Sequence, residues 1–337
     1  MKEKLLHSLT RTPFVPHPAI KGAHAQTIMA FLIPRRTRLV SRRTEPRIFN
    51  VGPGVQVLAK CSWQADRQSR PTLVVVHGLE GSADSSYMLG TAEKGLAADF
   101  NVIRLNVRSC GGTMSLTPTI YHAGLTQDLG QIVRELSEVD GLKQIYLVGF
   151  SLGGNMALKL AGEYAESPPG VLRGIAAVSP SIHLASCADA IEMRSNAIYH
   201  LSFIRSLRKS MRRKARLFPD RYDESRLRGI WTVRQFDAAY TAPHSGFRDV
   251  ADYYEQASAL PYIKKISVPT LIIQSKDDPV IPFPPFESEE ISSNPHITFL
   301  APNHGGHVGF VSARPEGHDR FWAEQKIVDF ISLIHET

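Results

Sequence analysis

Cysteine is scarce: the 337 residues hold three, Cys61, Cys110 and Cys187. Three thiols cannot all pair, and their spacing matches no metal-ligating pattern, so a disulfide scaffold and a cysteine metal site are both excluded. They read as structural thiols in a reducing compartment, which gives the cytoplasm as the expected location. Long hydrophobic runs are missing as well. The longest near the start, Ile28 to Ile33, stops at Pro34, far short of the roughly 20 residues that a membrane span needs. Met1-Lys2-Glu3-Lys4-Leu5-Leu6-His7-Ser8 contains an acid and no apolar core, which argues against a secretory leader. Internal repeats and low-complexity segments are absent too. What is plentiful is positive charge: the net charge is +7, clustered at Arg35, Arg36, Arg38, Arg42 and Arg43 and again from Arg205 to Arg216. Neither cluster carries interleaved aromatics or a nucleic-acid motif, so no nucleic-acid partner is expected. A solvated basic face is the simpler reading, with peripheral contact to anionic membrane surfaces as the sharper one.

With 43% hydrophobic and 21% charged residues, the chain has the apolar material for a sizeable core. Leu39 to Trp63 alternates around Gly52-Pro53-Gly54, the pattern of an antiparallel edge hairpin. Thr72–Val76, Asn101–Val107, the run into Ser151, Ile175–Val178, Pro269–Gln274 and Ile297–Leu300 are apolar strands without polar alternation. Helical patterns lie between them at Tyr87–Ala98 and Ala123–Glu138, and one closes the chain from about Phe321 to Ile334. Buried strands alternating with helices describe a parallel sheet covered on both faces. From about 183 to 260 the rhythm breaks into polar helix. There Ile198, Leu201, Ile204, Leu207, Met211, Ala215 and Phe218 form an apolar stripe, with Arg205, Arg208, Lys209, Arg212, Arg213 and Lys214 expected on the opposite surface. That segment reads as a cap.

The stretch that organises the rest is Gln144-Ile145-Tyr146-Leu147-Val148-Gly149-Phe150-Ser151-Leu152-Gly153-Gly154. A strand ends at Gly149 and a helix begins past Gly154, with Gly-x-Ser-x-Gly between them, the nucleophile elbow of α/β-hydrolases. Side chains two positions either side of Ser151 would collide with the neighbouring strand and helix, so Gly149 and Gly153 are required. A serine hydroxyl needs a base, and the base needs a carboxylate to hold its tautomer. Asp278 follows one later strand and His307 the next, in the order Ser, Asp, His. Asp277 and His304 are rivals. Asp278 is favoured because Asp278-Pro279-Val280-Ile281-Pro282 has the form of the usual acid turn, and His307 because Gly305-Gly306 lets its loop approach the serine. Oxyanion donors are expected from the backbone N–H groups of Leu79 and Leu152. His24, His122 and His244 are read as packing or hydrogen-bonding residues.

With these residues in place the chain resembles the AB hydrolase-4 family, the YheT/EMB8-like branch of α/β-hydrolases. The resemblance rests on His24-Ala25-Gln26-Thr27, His77-Gly78-Leu79-Glu80-Gly81, Asn106-Val107-Arg108-Ser109-Cys110-Gly111-Gly112, Tyr121-His122-Ala123-Gly124 and the elbow. Phe236-Asp237, Thr241-Ala242-Pro243-His244-Ser245-Gly246-Phe247, Asp277-Asp278-Pro279 and His304-Gly305-Gly306-His307-Val308-Gly309-Phe310 complete it. Ser109 stands where many relatives have glycine, and Ala25 replaces a commoner leucine. The resemblance implies carboxylesterase or lipase chemistry on short- to medium-chain acyl esters, with acyl transfer to alcohols in some relatives.

The resulting expectation is one α/β-hydrolase domain over residues 1–337, with an extension at 1–36 and a helical cap at about 183–260. Its central sheet would be mostly parallel, with helices on both faces. The expected function is a serine carboxylesterase acting on a small-molecule acyl ester, without metal or cofactor. An alcohol acyltransferase and a non-catalytic lipid-binding module are the alternatives.

Overall fold

In a computed structural model that describes residues 2–313 and 319–336, a single eight-stranded sheet runs through the chain. Its strands are β1 (Thr44–Gly52), β2 (Val55–Ser62), β3 (Thr72–Val76), β4 (Asn101–Leu105), β5 (Ile145–Phe150), β6 (Leu172–Val178), β7 (Thr270–Ile273) and β8 (Ile297–Leu300). The spatial order is β1-β2-β4-β3-β5-β6-β7-β8. The β1–β2 hairpin and the β2–β4 pair are antiparallel; every later pair is parallel. From β3 the chain first steps outward to β4 and then returns to place β5 on the other side. Connections that leave neighbouring strands in opposite directions open a crevice at the strands' carboxyl ends, and that crevice lies here between β3 and β5.

The helices are α1 (Lys2–Thr10), α2 (Ala23–Leu32), α3 (Arg38–Arg43), α4 (Ser86–Ala97), α5 (Thr126–Glu138), α6 (Leu152–Tyr164), α7 (Leu184–Glu192) and α8 (Ala197–Leu217). Shorter helical turns continue to Ile263, and a last helix spans Trp322–His335. Strand alternation sorts the two layers. Val74 and Val76 join Leu129, Ile132 and Met156 on the α5–α6 face, whereas Leu73 and Val75 join Met88, Leu96 and Ile327 on the other. All of them are buried, each worth roughly 1.5–3 kcal/mol by transfer. Among the described residues no helix is long and apolar enough to cross a membrane.

Besides α6 starting earlier, at Leu152, and β4 stopping earlier, at Leu105, the structure departs from the sequence expectations in three places. Leu39–Arg43 is not part of the hairpin but a helical turn. Its leading N–H groups, those of Leu39 and Val40, donate to the Glu93 carboxylate on α4 at 2.9–3.0 Å, a cap supplied from 53 and 54 residues away. The α5 helix begins at Thr126 rather than Ala123. The Ala123 N–H donates to the Tyr253 hydroxyl and its carbonyl accepts from Asn155 Nδ2, so its backbone is satisfied outside any helix. On α8, Ile204, Leu207, Met211 and Ala215 are buried, but Ile198 and Leu201 are 59% and 48% exposed. Lys214 is buried among the apolar residues rather than exposed opposite them. Its ammonium donates to Ser109 Oγ and to the carbonyls of Met114 and Thr117. Its spacing of three from Met211 puts it on the buried face.

Candidate active site

Ser151 sits between β5 and α6 with φ 52° and ψ −119°, a left-handed conformation that a side chain adopts only when the surroundings hold it. Its N–H donates to the Val178 carbonyl on β6 at 3.0 Å. The flanking glycines answer to contact. A Cβ on Gly149 would stand 2.3 Å from the Gly153 carbonyl oxygen, and one on Gly153 would stand 2.5 Å from that of Val76. No backbone could yield to both.

His307 lies in the loop after β8, and its Nε2 is 3.1 Å from Ser151 Oγ. Its Nδ1 is 2.9 Å from Asp278 Oδ2. The other Asp278 oxygen accepts the N–H groups of Val280 and Ile281, both at 2.8 Å. The carboxylate side chain is fully buried and the imidazole 12% exposed. The rivals also pair, but elsewhere: His304 Nδ1 is 3.2 Å from Asp277 Oδ2, with the His304 side chain 62% exposed. Asp277 Oδ1 accepts the Gly306 N–H at 2.9 Å and so braces the loop that carries His307.

The loop after β3 faces the serine across the crevice. A Cβ on Gly78 would be 3.0 Å from Ser151 Cβ, a contact tight enough that the serine would have to shift by a few tenths of an ångström. The N–H groups of Leu79 and Leu152 have no protein acceptor among the described residues. Leu152 opens α6, where the first-turn N–H groups have no intrahelical partner and the dipole favours negative charge. Two residues that the sequence reading left without a role shape this loop. His77 is fully buried; its Nδ1 donates to the Gly78 carbonyl at 2.7 Å while Nε2 accepts the Val107 N–H at 3.2 Å, which fixes a neutral tautomer. Glu80 has φ 54°, and its carboxylate accepts the hydroxyls of Tyr121, Ser206 and Ser210 at 3.0, 2.8 and 2.6 Å. Because Ser206 and Ser210 belong to α8, the loop and that helix are tied together at the residue after Leu79.

Burial gives the site's surroundings a pH signature. It pushes the His77 and His122 imidazoles down from 6.5 to about 4, and raises the Asp237 carboxyl from 3.8 to about 6. For each histidine the folded value lies below the unfolded one, so stability is full above pH 6.5 and is lost as pH falls towards 4. Asp237 works the other way, gaining about 3 kcal/mol over nearly the same descent. Within these three groups the two histidines outweigh the one carboxyl, so together they lose stability on acidification. The urea midpoint should therefore fall between pH 6.5 and 4; a flat profile there would contradict the burial account.

A cavity of about 110 Å³ opens from Ser151 beneath α7 and α8. Its wall is mainly apolar, including Met114, Ile120, Leu184, Phe203, Leu207 and Phe236. Asp237 lies in the same wall, its carboxylate accepting the Tyr254 hydroxyl at 2.8 Å. His122 lines it too, edge-on to Phe247 and Tyr253. His24 and His244 lie apart from this wall, the first bonded to the Tyr199 hydroxyl and the second packed on Tyr222. Among the described residues no three His, Cys, Asp or Glu side chains are grouped to hold a metal ion.

Residues 71–313 match the family described as the alpha/beta hydrolase fold. The chain is 31% identical to YheT of Escherichia coli (strain K12) over 326 residues, covering 96% of this chain and 94% of that one. The chain belongs to the α/β-hydrolase family, in its YheT-like branch. This hydrolase is also 28% identical over 276 residues to the monoacylglycerol lipase of Saccharomyces cerevisiae, covering 80% of its own length and 60% of that relative. Its fold is similar to that of the Pyrococcus furiosus esterase Pf2001, with TM-score 0.58 and 17% identity over 89% of this chain and 95% of that one. It is an esterase- or lipase-type α/β-hydrolase.

Proposed function

We propose that the hydrolase is a serine carboxylesterase for short- to medium-chain, lipid-type acyl esters. The observation that carries the reading is the hydrogen-bonded line Ser151–His307–Asp278, with Ser151 in the wall of a mainly apolar cavity. Ser151 Oγ attacks the ester carbonyl and passes its proton to His307 Nε2, while Asp278 holds Nδ1–H and stabilises the imidazolium. The N–H groups of Leu79 and Leu152 receive the oxyanion, an interaction worth about 3 kcal/mol per donor in the transition state. Collapse breaks the bond to the alcohol oxygen, which leaves with the His307 proton. Water then attacks the acyl-enzyme, gives a proton to His307 and releases the acid as Ser151 regains its own. An alcohol entering in place of water would give a new ester from the same intermediate.

The helical segment between β6 and β7 acts in this reading as a cap within one hydrolase domain, and its apolar underside receives the acyl chain. Likeness to a monoacylglycerol lipase supports a lipid-type ester. The test is hydrolysis of p-nitrophenyl esters from acetate to palmitate. Turnover should be highest for the short and medium chains and fall for palmitate. Rates equal to the uncatalysed background across the series would overturn the esterase reading.

A further inference from the structure

We propose that Gln26 and Thr27 of α2 are positioning residues of the active site, clamping the loop that carries His307. This rests on the reading of His307 as the general base. The His24-Ala25-Gln26-Thr27 segment lies some 280 residues before that histidine in sequence, yet α2 packs directly on its loop. Thr27 Oγ1 accepts the His307 backbone N–H at 2.9 Å. Its proton is committed to the Ala23 carbonyl at 2.8 Å, so the hydroxyl presents a lone pair to His307. Gln26, 1% exposed, accepts the Val311 N–H at 2.7 Å through Oε1 and donates Nε2 to the Val311 carbonyl at 3.1 Å. A second Nε2 bond, to Ile20 at 3.0 Å, fixes the amide's orientation. One side chain thus pairs with a loop residue as a strand would.

The loop is built to receive the helix. A Cβ on Gly306 would stand 2.4 Å from the Ala23 carbonyl oxygen and 2.6 Å from Thr27 Oγ1, and one on Gly309 would stand 2.8 Å from the Gln26 backbone. On either side of Gly309, Val308 and Phe310 hold φ 53° and 46°, conformations that a free loop of non-glycine residues would relax. From the opposite side Asp277 accepts the Gly306 N–H, Ser275 Oγ donates to the Gly306 carbonyl, and Ser179 Oγ accepts the Val308 N–H. The loop is therefore gripped between the sheet's strand ends and α2. Among the described residues the His307 ring has two hydrogen bonds, to Ser151 and Asp278, and both depend on where its backbone is held. A displacement of about 1 Å in such an alignment can lower turnover about a hundredfold.

The experiment compares Thr27→Val, Thr27→Ser and Gln26→Leu with wild type on the best p-nitrophenyl ester, recording kcat, KM and the downfield proton signal of the His307 ring. Thr27→Val should lower kcat about 10- to 100-fold with KM little changed, and broaden or move the ring-proton signal. Thr27→Ser should restore both. Gln26→Leu should act in the same direction. Should Thr27→Val fail to fold, Thr27→Ala takes its place. Wild-type kcat in folded Thr27→Val and Gln26→Leu would overturn the clamp, as would a loss that appears in KM alone or that Thr27→Ser does not rescue. His307→Ala is the control: if it keeps full activity the base assignment itself fails, whereas its inactivity beside a fully active Thr27→Val discards the clamp alone.

Discussion

Ser151→Ala should lower kcat on p-nitrophenyl esters by about 10⁴- to 10⁶-fold, the loss that the proposed mechanism, with Ser151 as nucleophile of a cooperating triad, implies. The residual rate would come from the proposed oxyanion donors and the cavity, neither of which involves the hydroxyl. Folding should be preserved. Among the described residues Ser151 Oγ makes a single hydrogen bond, to His307, and alanine meets the φ of 52° much as serine does. Both Gly149 and Gly153 contacts involve backbone and are untouched. Matching thermal unfolding curves beside the lost rate would place the effect in chemistry. Retained turnover would mean that another group is the nucleophile.

Asp278→Asn should lower kcat near pH 7 by about 10⁴-fold, through the tautomer rather than the charge alone. In the native protein one Asp278 oxygen is held by the N–H groups of Val280 and Ile281, and the other receives the His307 Nδ1 proton. An asparagine must give its oxygen to those two backbone donors, because its NH₂ cannot accept from them. Its NH₂ then faces Nδ1, which has to become the acceptor. The ring proton moves to Nε2, and no lone pair faces Ser151. Asp277→Asn makes the internal comparison. It weakens one brace on the Gly306 N–H and should cost less than about tenfold. Equal losses in the two variants would show that the carboxylates do not divide their roles as the geometry does.

The elbow was legible in the sequence because its causes are local. An apolar strand run, two glycines at fixed offsets and a helical period belong to a dozen consecutive residues, and each position is constrained by its immediate neighbours. The parallel layers were legible for a similar reason, since Thr72–Val76 and Ile145–Phe150 lack the polar alternation of a half-exposed strand. Elements held by distant partners were not. The Arg38–Arg43 turn depends on Glu93, and nothing within the turn announces a carboxylate arriving from another helix. Lys214 could be placed by helical spacing, but the charge suggested exposure. Ser109 Oγ and the carbonyls of Met114 and Thr117, brought beneath α8 by the fold, supply what water would otherwise provide.

The same division runs through the site. By itself the sequence determined the strand–serine–helix turn, the glycines that permit it, and the order in which acid and histidine follow. These are fixed by steric demands between neighbours in the chain. Tertiary structure decided which of two adjacent aspartates meets His307, because Asp277 and Asp278 differ only in what surrounds them. The Gly306 N–H takes one, and the Val280 and Ile281 N–H groups orient the other. It likewise brought Glu80 to α8 and Thr27 to the His307 backbone, contacts across 126 and 280 residues. A short polar side chain carries no mark of its partner until packing has fixed which backbone group lies within about 3 Å of it.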